Sequence, residues 1–248
     1  MTNRLVLSGT GSIENLPSFK EGLFYVQDPA AKLSVLCAGL TPNQKVLDCC
    51  AAPGGKSFAA AMCMAGTGSI ISCDVHSHKI PLLQRGAQRL GIETLKACEQ
   101  DASVAVDQWL GAMDTVIADV PCSGYGIIRK KPDIRYKDPD SMAQLPELQL
   151  AILKNQASYV KPGGVLLYST CTLIREENEG VVGQFLKEHP EMESKVNSVI
   201  TRADKTRAQY YSFYTGKTWG AAESYDLSLR TDLHSDDFLV DMIISFAK

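Results

Sequence analysis

Lys45-Val-Leu-Asp-Cys-Cys-Ala-Ala-Pro-Gly-Gly-Lys56 decides the fold. Lys45–Asp48 is a short apolar run with strand character, and Cys50-Ala-Ala-Pro-Gly-Gly-Lys56 after it is a turn of small residues. The small-residue stretch from Lys56 to Ala65 then reads as a helix. A strand, a glycine turn and a helix in that order form the opening unit of an α/β sheet that binds a ligand at its strand ends.

Outward from this unit the pattern repeats. Upstream, Asp28-Pro29 opens a helical stretch to Gly39, with Pro in a first-turn position. Downstream, Ser69–Asp74 is a second strand, Ser77–Leu90 a helix with Pro81 in its first turn, and Leu95–Gln100 a third strand. Asp114–Asp119 is a fourth, followed by a polar connection over 121–138 and a helix at 140–160. Gly164–Thr170 is a fifth strand and Glu176–His189 a further helix. Strands separated by helices of this length predict a Rossmann-like α/β fold, a mostly parallel sheet with helices on both faces. No internal repeat or low-complexity tract interrupts it.

Ligands of such sheets lie at the carboxyl ends of the strands. Those ends carry the turn Cys50, Ala51, Ala52, Pro53, Gly54, Gly55, Lys56, then Asp74, Asp101 just past the third strand, Asp119-Val-Pro-Cys122, and Ser169-Thr-Cys171. A dinucleotide fingerprint needs Gly-x-Gly-x-x-Gly, whereas this turn has adjacent glycines behind Pro53. A P-loop needs Gly five residues before the Gly of Gly55-Lys56-Ser57, and Cys50 stands there. S-adenosylmethionine fits better. Its amino-acid carboxylate accepts from amides of the turn and helix start, Asp74 suits the ribose hydroxyls, and Asp101 suits the adenine amino group. The absence of a phosphate is compatible with three acids around the pocket.

The 248 residues suit one large domain or two small ones. With 45% hydrophobic and 21% charged residues the composition is that of a globular chain rather than a disordered one. No apolar run reaches the roughly 20 residues of a membrane span, and no signal-peptide core follows the N-terminus, so a cytoplasmic protein without a membrane partner is expected. Eight cysteines without a Cys-x-x-Cys pair suggest reduced thiols and no metal site. The net charge of −3 excludes nucleic-acid binding by bulk charge and leaves room for a local patch. Arg129, Lys130, Lys131, Arg135 and Lys137 form one, with only Asp133 as counter-charge. Basic loops are commonly just solvated surface, but this one directly follows the Cys122 motif, which favours contact with phosphates.

Cys50–Lys56, Asp119-Val-Pro-Cys-Ser-Gly124, Tyr168-Ser-Thr-Cys-Thr172 and Glu177-Asn-Glu179 together resemble the NOL/NOP/Sun family of RNA cytosine-C5 methyltransferases. Arg129-Lys-Lys-Pro-Asp-Ile-Arg135 and Tyr25-Val-Gln-Asp28 most resemble its bacterial RsmB branch, which acts on 16S ribosomal RNA. The likeness runs from about Gly22 to His189. It implies a class I methyltransferase fold with an antiparallel C-terminal strand, S-adenosylmethionine as cofactor, and RNA as partner, either 16S RNA or an assembly intermediate of the small subunit. A monomer without metal is expected.

The C5 carbon of cytosine is too poor a nucleophile to attack a sulfonium methyl directly. A thiolate added at C6 makes it enamine-like, which is covalent catalysis by an activated thiol. Spacing alone leaves open whether Cys122 or Cys171 attacks. The resemblance assigns attack to Cys171 and product release to Cys122. It places Asp119 against both cofactor and base, positioning the cytosine or protonating N3, with Lys56 touching base or cofactor. The basic segment would hold RNA whose target base is unstacked into the pocket.

The resemblance also implies a preceding helical RNA-binding domain. Residues 1–27 are then the linker to it and 28–248 the catalytic domain, in either a truncated chain or a natural short form. Asp236-Asp237-Phe238-Leu239 stands where the family's last strand reads Asp-Gly-Phe-Phe. Tyr210, Tyr211, Tyr214 and Trp219 match no motif, and packing under a loop is favoured over base stacking. Rival readings are an RNA-binding or ribosome-assembly module with little activity without its N-terminal domain, and a cytosine methyltransferase of another RNA such as tRNA. An amino-group methyltransferase lacks support because Asp119-Val-Pro-Cys122 has no aromatic, and a nicotinamide enzyme is more remote still.

Overall fold

Buried apolar side chains alternate in direction along the central strands, and this alternation builds helix layers on both faces of one sheet. A computed structural model describes residue 9, residues 11–192, residues 208, 209, 211, 212, 216–218, 221 and 223, and residues 235–246. Strands β1 (Lys45–Asp48), β2 (Ser69–Asp74), β3 (Leu95–Glu99), β4 (Met113–Asp119) and β5 (Val160–Ser169) form one sheet in the order β3-β2-β1-β4-β5. Every pairing is parallel. Helices among the described residues include α1 (Pro17–Lys20), α2 (Pro29–Cys37), α3 (Gly55–Cys63), α4 (Ile80–Arg89), α5 (Leu145–Ala157), α6 (Glu179–Glu188) and α7 (Asp236–Phe246).

Val46, Ile70 and Ile117 pack on one face with Val35 of α2 and Ala59–Ala61 of α3. Their neighbours Leu47 and Val116 point to the other face, toward Tyr159, where Ala118 and Val120 meet Ile152 of α5. A strand buried on both faces reads as a continuous apolar run, as β1 and β4 do. Small side chains on α3 let that helix lie close to the sheet. Helix α6 closes the β5 side through Val181 and Phe185 against Leu150 and Leu153. By contact the chain divides into a unit of residues 1–194 and a unit of residues 195–248.

Two expectations need correction. The sheet has no antiparallel C-terminal strand among the described residues: Asp236–Phe246 is a helix. The strand is implied by the family resemblance of Asp236-Asp237-Phe238-Leu239, but the local chemistry starts a helix. The Ser235 hydroxyl accepts from the Phe238 amide at 3.4 Å, and the Ser235 carbonyl from the Leu239 amide at 3.1 Å. Helix α5 is shorter than 140–160 because Pro139–Met142 is a separate 3-10 turn and the α-helix starts at Leu145, with Pro146 in its first turn. Residues 17–24, within the stretch read as linker, pack on α4. Arg89 donates to the carbonyls of Phe19 (2.6 Å) and Phe24 (3.0 Å) and lies 3.8 Å over the Phe19 ring. Tyr210, Tyr214 and Trp219 lie outside the described residues.

Candidate active site

The strand order reverses between β1 and β4, the switch point at which sheets of this kind bind ligands in a crevice. After β1 the chain turns through a cis Ala52-Pro53 bond to Gly54, whose φ of 112° is open to glycine. A Cβ at Gly54 would come 2.4 Å from the Phe58 ring, so the turn packs against the helix that it starts. The amides of Ala51 and Gly54 bond the carbonyls of Cys73 and Ala51, both at 2.7 Å. Beyond this turn the first amides of α3 lack intrahelical acceptors.

Two buried polar atoms flank the turn without a hydrogen-bond partner among the described residues, Oδ1 of Asp48 and Nε2 of Gln27. The Gln27 side chain lies over Gly55, where an added Cβ would sit 3.5 Å from that Nε2. An acceptor, a side-chain donor and helix-start amides are the groups needed by an α-amino-acid moiety, so the residues fit the expected cofactor. Asp74 ends β2 almost fully buried. Its Oδ1 accepts from the His76 amide at 3.0 Å and stands 3.4 Å from the Lys79 ammonium. Asp101 is exposed, and its Oδ1 accepts from the Ser103 hydroxyl (2.7 Å) and amide (2.8 Å), which hold its carboxyl below the usual range.

Cys122 and Cys171, 49 residues apart in sequence, meet with sulfurs 3.2 Å apart. The β4–β5 register pairs Asp119 with Ser169 and so brings the two segments out of the sheet side by side. Both thiols are free, and their separation is well beyond a disulfide bond of about 2.05 Å. The Cys171 amide also donates to Cys122 Sγ at 3.2 Å. Hydrogen bonding from Cys122 holds the Cys171 thiol down at about 7, against burial and Asp119, with the Lys131 and Lys56 ammoniums helping. Cys122 is pushed up by the same contact and by burial. Cys171 is thereby the more readily ionised thiol of the pair, and the thiolate is the nucleophilic form.

Lys56 bonds Asp119 Oδ2 at 2.6 Å, and the Ser169 hydroxyl donates to Asp119 Oδ1 at 2.8 Å. Arg129, Lys130, Lys131 and Arg135 are all exposed. Lys130 is paired with Asp28, the N-cap of α2, and the Arg135 guanidinium lies 5.7 Å from the Tyr136 ring centroid. The structure adds residues that sequence reasoning missed. Asp48 is fully buried and accepts from the Ser57 hydroxyl at 2.7 Å, and Ser57 in turn accepts from Ser72 at 2.8 Å. An acid ending the first strand was the available signal. Gln149 and Glu177 are buried behind the cysteines, joined at 2.8 Å. Gln149 lies within an apolar helix and gave no signal, while Glu177 stood in a recognised motif without a role.

The family model described as 16S rRNA methyltransferase RsmB/F matches residues 35–224. A probable ribosomal RNA small subunit methyltransferase B of Bacillus subtilis is 41% identical over 79% of this chain and 44% of its own length. Its namesake in Synechocystis is 39% identical over 75% of this chain and 42% of its own. The solved NSun6 of Pyrococcus horikoshii, with SFG, an S-adenosylmethionine analogue, superposes with a TM-score of 0.66 at 28% identity. That match covers 71% of this chain and 45% of that one. The chain thus spans less than half the length of the relatives it matches.

Proposed function

Because the chain belongs to the 16S rRNA methyltransferase RsmB/F family, we propose that it transfers a methyl group from S-adenosylmethionine to C5 of a cytosine in 16S ribosomal RNA, by way of a covalent Cys171 adduct. The observation that carries this reading is the meeting of two free thiols, Cys171 and Cys122, 3.2 Å apart at the strand ends. Cys50–Lys56, Asp74 and Asp101 form the cofactor side of the crevice. When bound, the cofactor supplies an electrophilic methyl on sulfur.

The Cys171 thiolate adds to C6 of the base. The new S–C6 bond uses the sulfur electron pair, and the C5=C6 pair becomes available at C5 to take the methyl. Lys56 donates toward the negative charge that develops at N3 and O2. Asp119, ion-paired to Lys56, is an acceptor, so orienting the base through its exocyclic amine suits it better than protonating N3. Loss of the C5 proton then expels Cys171 as thiolate, with Cys122 beside it to exchange the proton. Cytosine and cofactor become 5-methylcytosine, the demethylated cofactor and one proton. Arg129, Lys130, Lys131 and Arg135 hold the RNA backbone.

The test is transfer of labelled methyl to 16S RNA fragments, with the nucleoside identified and denaturing gels run for adducts. Cys171→Ala should abolish transfer and keep cofactor binding, while Cys122→Ala should accumulate a protein–RNA adduct. An adduct in Cys171→Ala would reverse the two roles, and methyladenosine as product would sink the reading.

A further inference from the structure

Glu177-Asn178 takes no part in the steps above, yet it touches the segments of both cysteines. The Glu177 side chain is 3% exposed, and its Oε2 accepts from the Ser123 amide at 2.9 Å and from Gln149 Nε2 at 2.8 Å. The same Gln149 Nε2 donates to the Pro121 carbonyl at 2.8 Å. Cys122 is therefore held at the residue before it and the residue after it. Asn178 does the equivalent for Cys171. Its Oδ1 accepts from the Thr170 hydroxyl at 2.7 Å, and its Nδ2 donates to the carbonyls of Thr172 (3.2 Å) and Ile174 (2.8 Å).

We propose that Glu177 and Asn178 are positioning residues, two neighbouring side chains that each fix one cysteine segment and together set the 3.2 Å approach of the two thiols. The peptide plane joining them is rigid, so the two segments are referred to one strut rather than to separate parts of the fold. Two further links are placed to keep that spacing: Ser123 Oγ and Thr172 Oγ1 lie 2.7 Å apart, and the Tyr168 hydroxyl donates to the Glu177 carbonyl at 2.7 Å. A buried carboxylate is weak support for stability, since apolar residues of similar volume often serve as well. Its acceptor capacity is used here on an amide next to Cys122. This inference rests on Cys171 being the attacking thiol of the proposed reaction.

The test reads the thiol itself. Alkylation of Cys171 by iodoacetamide is followed against pH by mass spectrometry of its peptide, in the full chain. The charged and titratable groups acting on Cys171 are Cys122, Asp119, Lys131 and Lys56, and all stay unchanged. The wild type should show a midpoint near 7. Glu177→Ala and Asn178→Ala should move it toward the ordinary thiol value of about 8.5 and slow alkylation at pH 7 roughly tenfold.

Glu177→Gln, which keeps an acceptor for the Ser123 amide, should restore most of the shift. Should the alanine variants fail to fold, Thr170→Val removes one hydroxyl at nearly constant volume and should raise the midpoint by a smaller step. Folded variants with the wild-type midpoint, or a wild type already titrating near 8.5, would overturn the proposal. If the midpoints move but no methyl reaches cytosine, the proposed reaction fails while the positioning role stands.

Discussion

Asp48 is fully buried at the end of β1, and burial pushes its carboxyl up to about 7 despite the Ser57 hydroxyl bonded to it. In the unfolded chain an aspartate titrates near 3.9. Between about pH 4 and 7 the native state therefore keeps a proton that the unfolded state has lost, so stability falls as pH rises through that window and is flat above it. Asp48→Asn keeps an acceptor for Ser57 and removes the buried charge. Relative to wild type it should gain up to a few kcal/mol at pH 8, at about 1.4 kcal/mol per pH unit, and nothing at pH 4. Urea unfolding at both pH values checks this, and an unchanged difference between variant and wild type would show that Asp48 ionisation is not responsible. Nothing in the sequence around Asp48 states its burial, because an acid ending a strand looks the same whether a helix covers it or not.

At the scale of elements, the turn Tyr125–Ile127 docks on the Cys171 segment through the Gly126 amide, 3.0 Å from the Cys171 carbonyl. A Cβ at Gly126 would come 2.8 Å from that oxygen, so the backbone carrying the nucleophile has to move. Gly126→Ala should lower kcat for methyl transfer tenfold or more while costing about 1–2 kcal/mol of stability. Gly183, within α6, has open space around it, and Gly183→Ala should instead stabilise the protein by about 0.5–1 kcal/mol and leave kcat unchanged. Equal losses of kcat in both would remove the docking explanation. Elements themselves were largely legible: β1 and β2 lie where their apolar runs and turn residues put them. Asp236–Phe246 departs from the strand that the family resemblance implies, because the Ser235 hydroxyl accepts from the Phe238 amide and starts a helix there.

Over the whole chain the net charge is −3, while Arg129, Lys130, Lys131 and Arg135 stand exposed on one connection after the Cys122 motif. If this segment holds the RNA backbone as proposed, reversing Arg129 and Arg135 to Glu should weaken binding of single-stranded 16S fragments. It should also flatten the dependence of log K on log salt by about 1.4, two phosphates at about 0.7 each. A titration series between low and physiological salt measures it, and an unaltered slope would place the RNA elsewhere.

The sequence by itself determined the alternation of strands and helices and the residue types at the strand ends, since periodicity and turn chemistry are local properties. Only the tertiary structure decided that Cys122 meets Cys171, that Asp119 is bound by Lys56, and that Glu177-Asn178 braces both cysteine segments. Those contacts follow from the pairing of Asp119 with Ser169 across β4 and β5 and from the burial of α5 and α6 against them. Register and burial are settled by packing between distant segments, which no local pattern records.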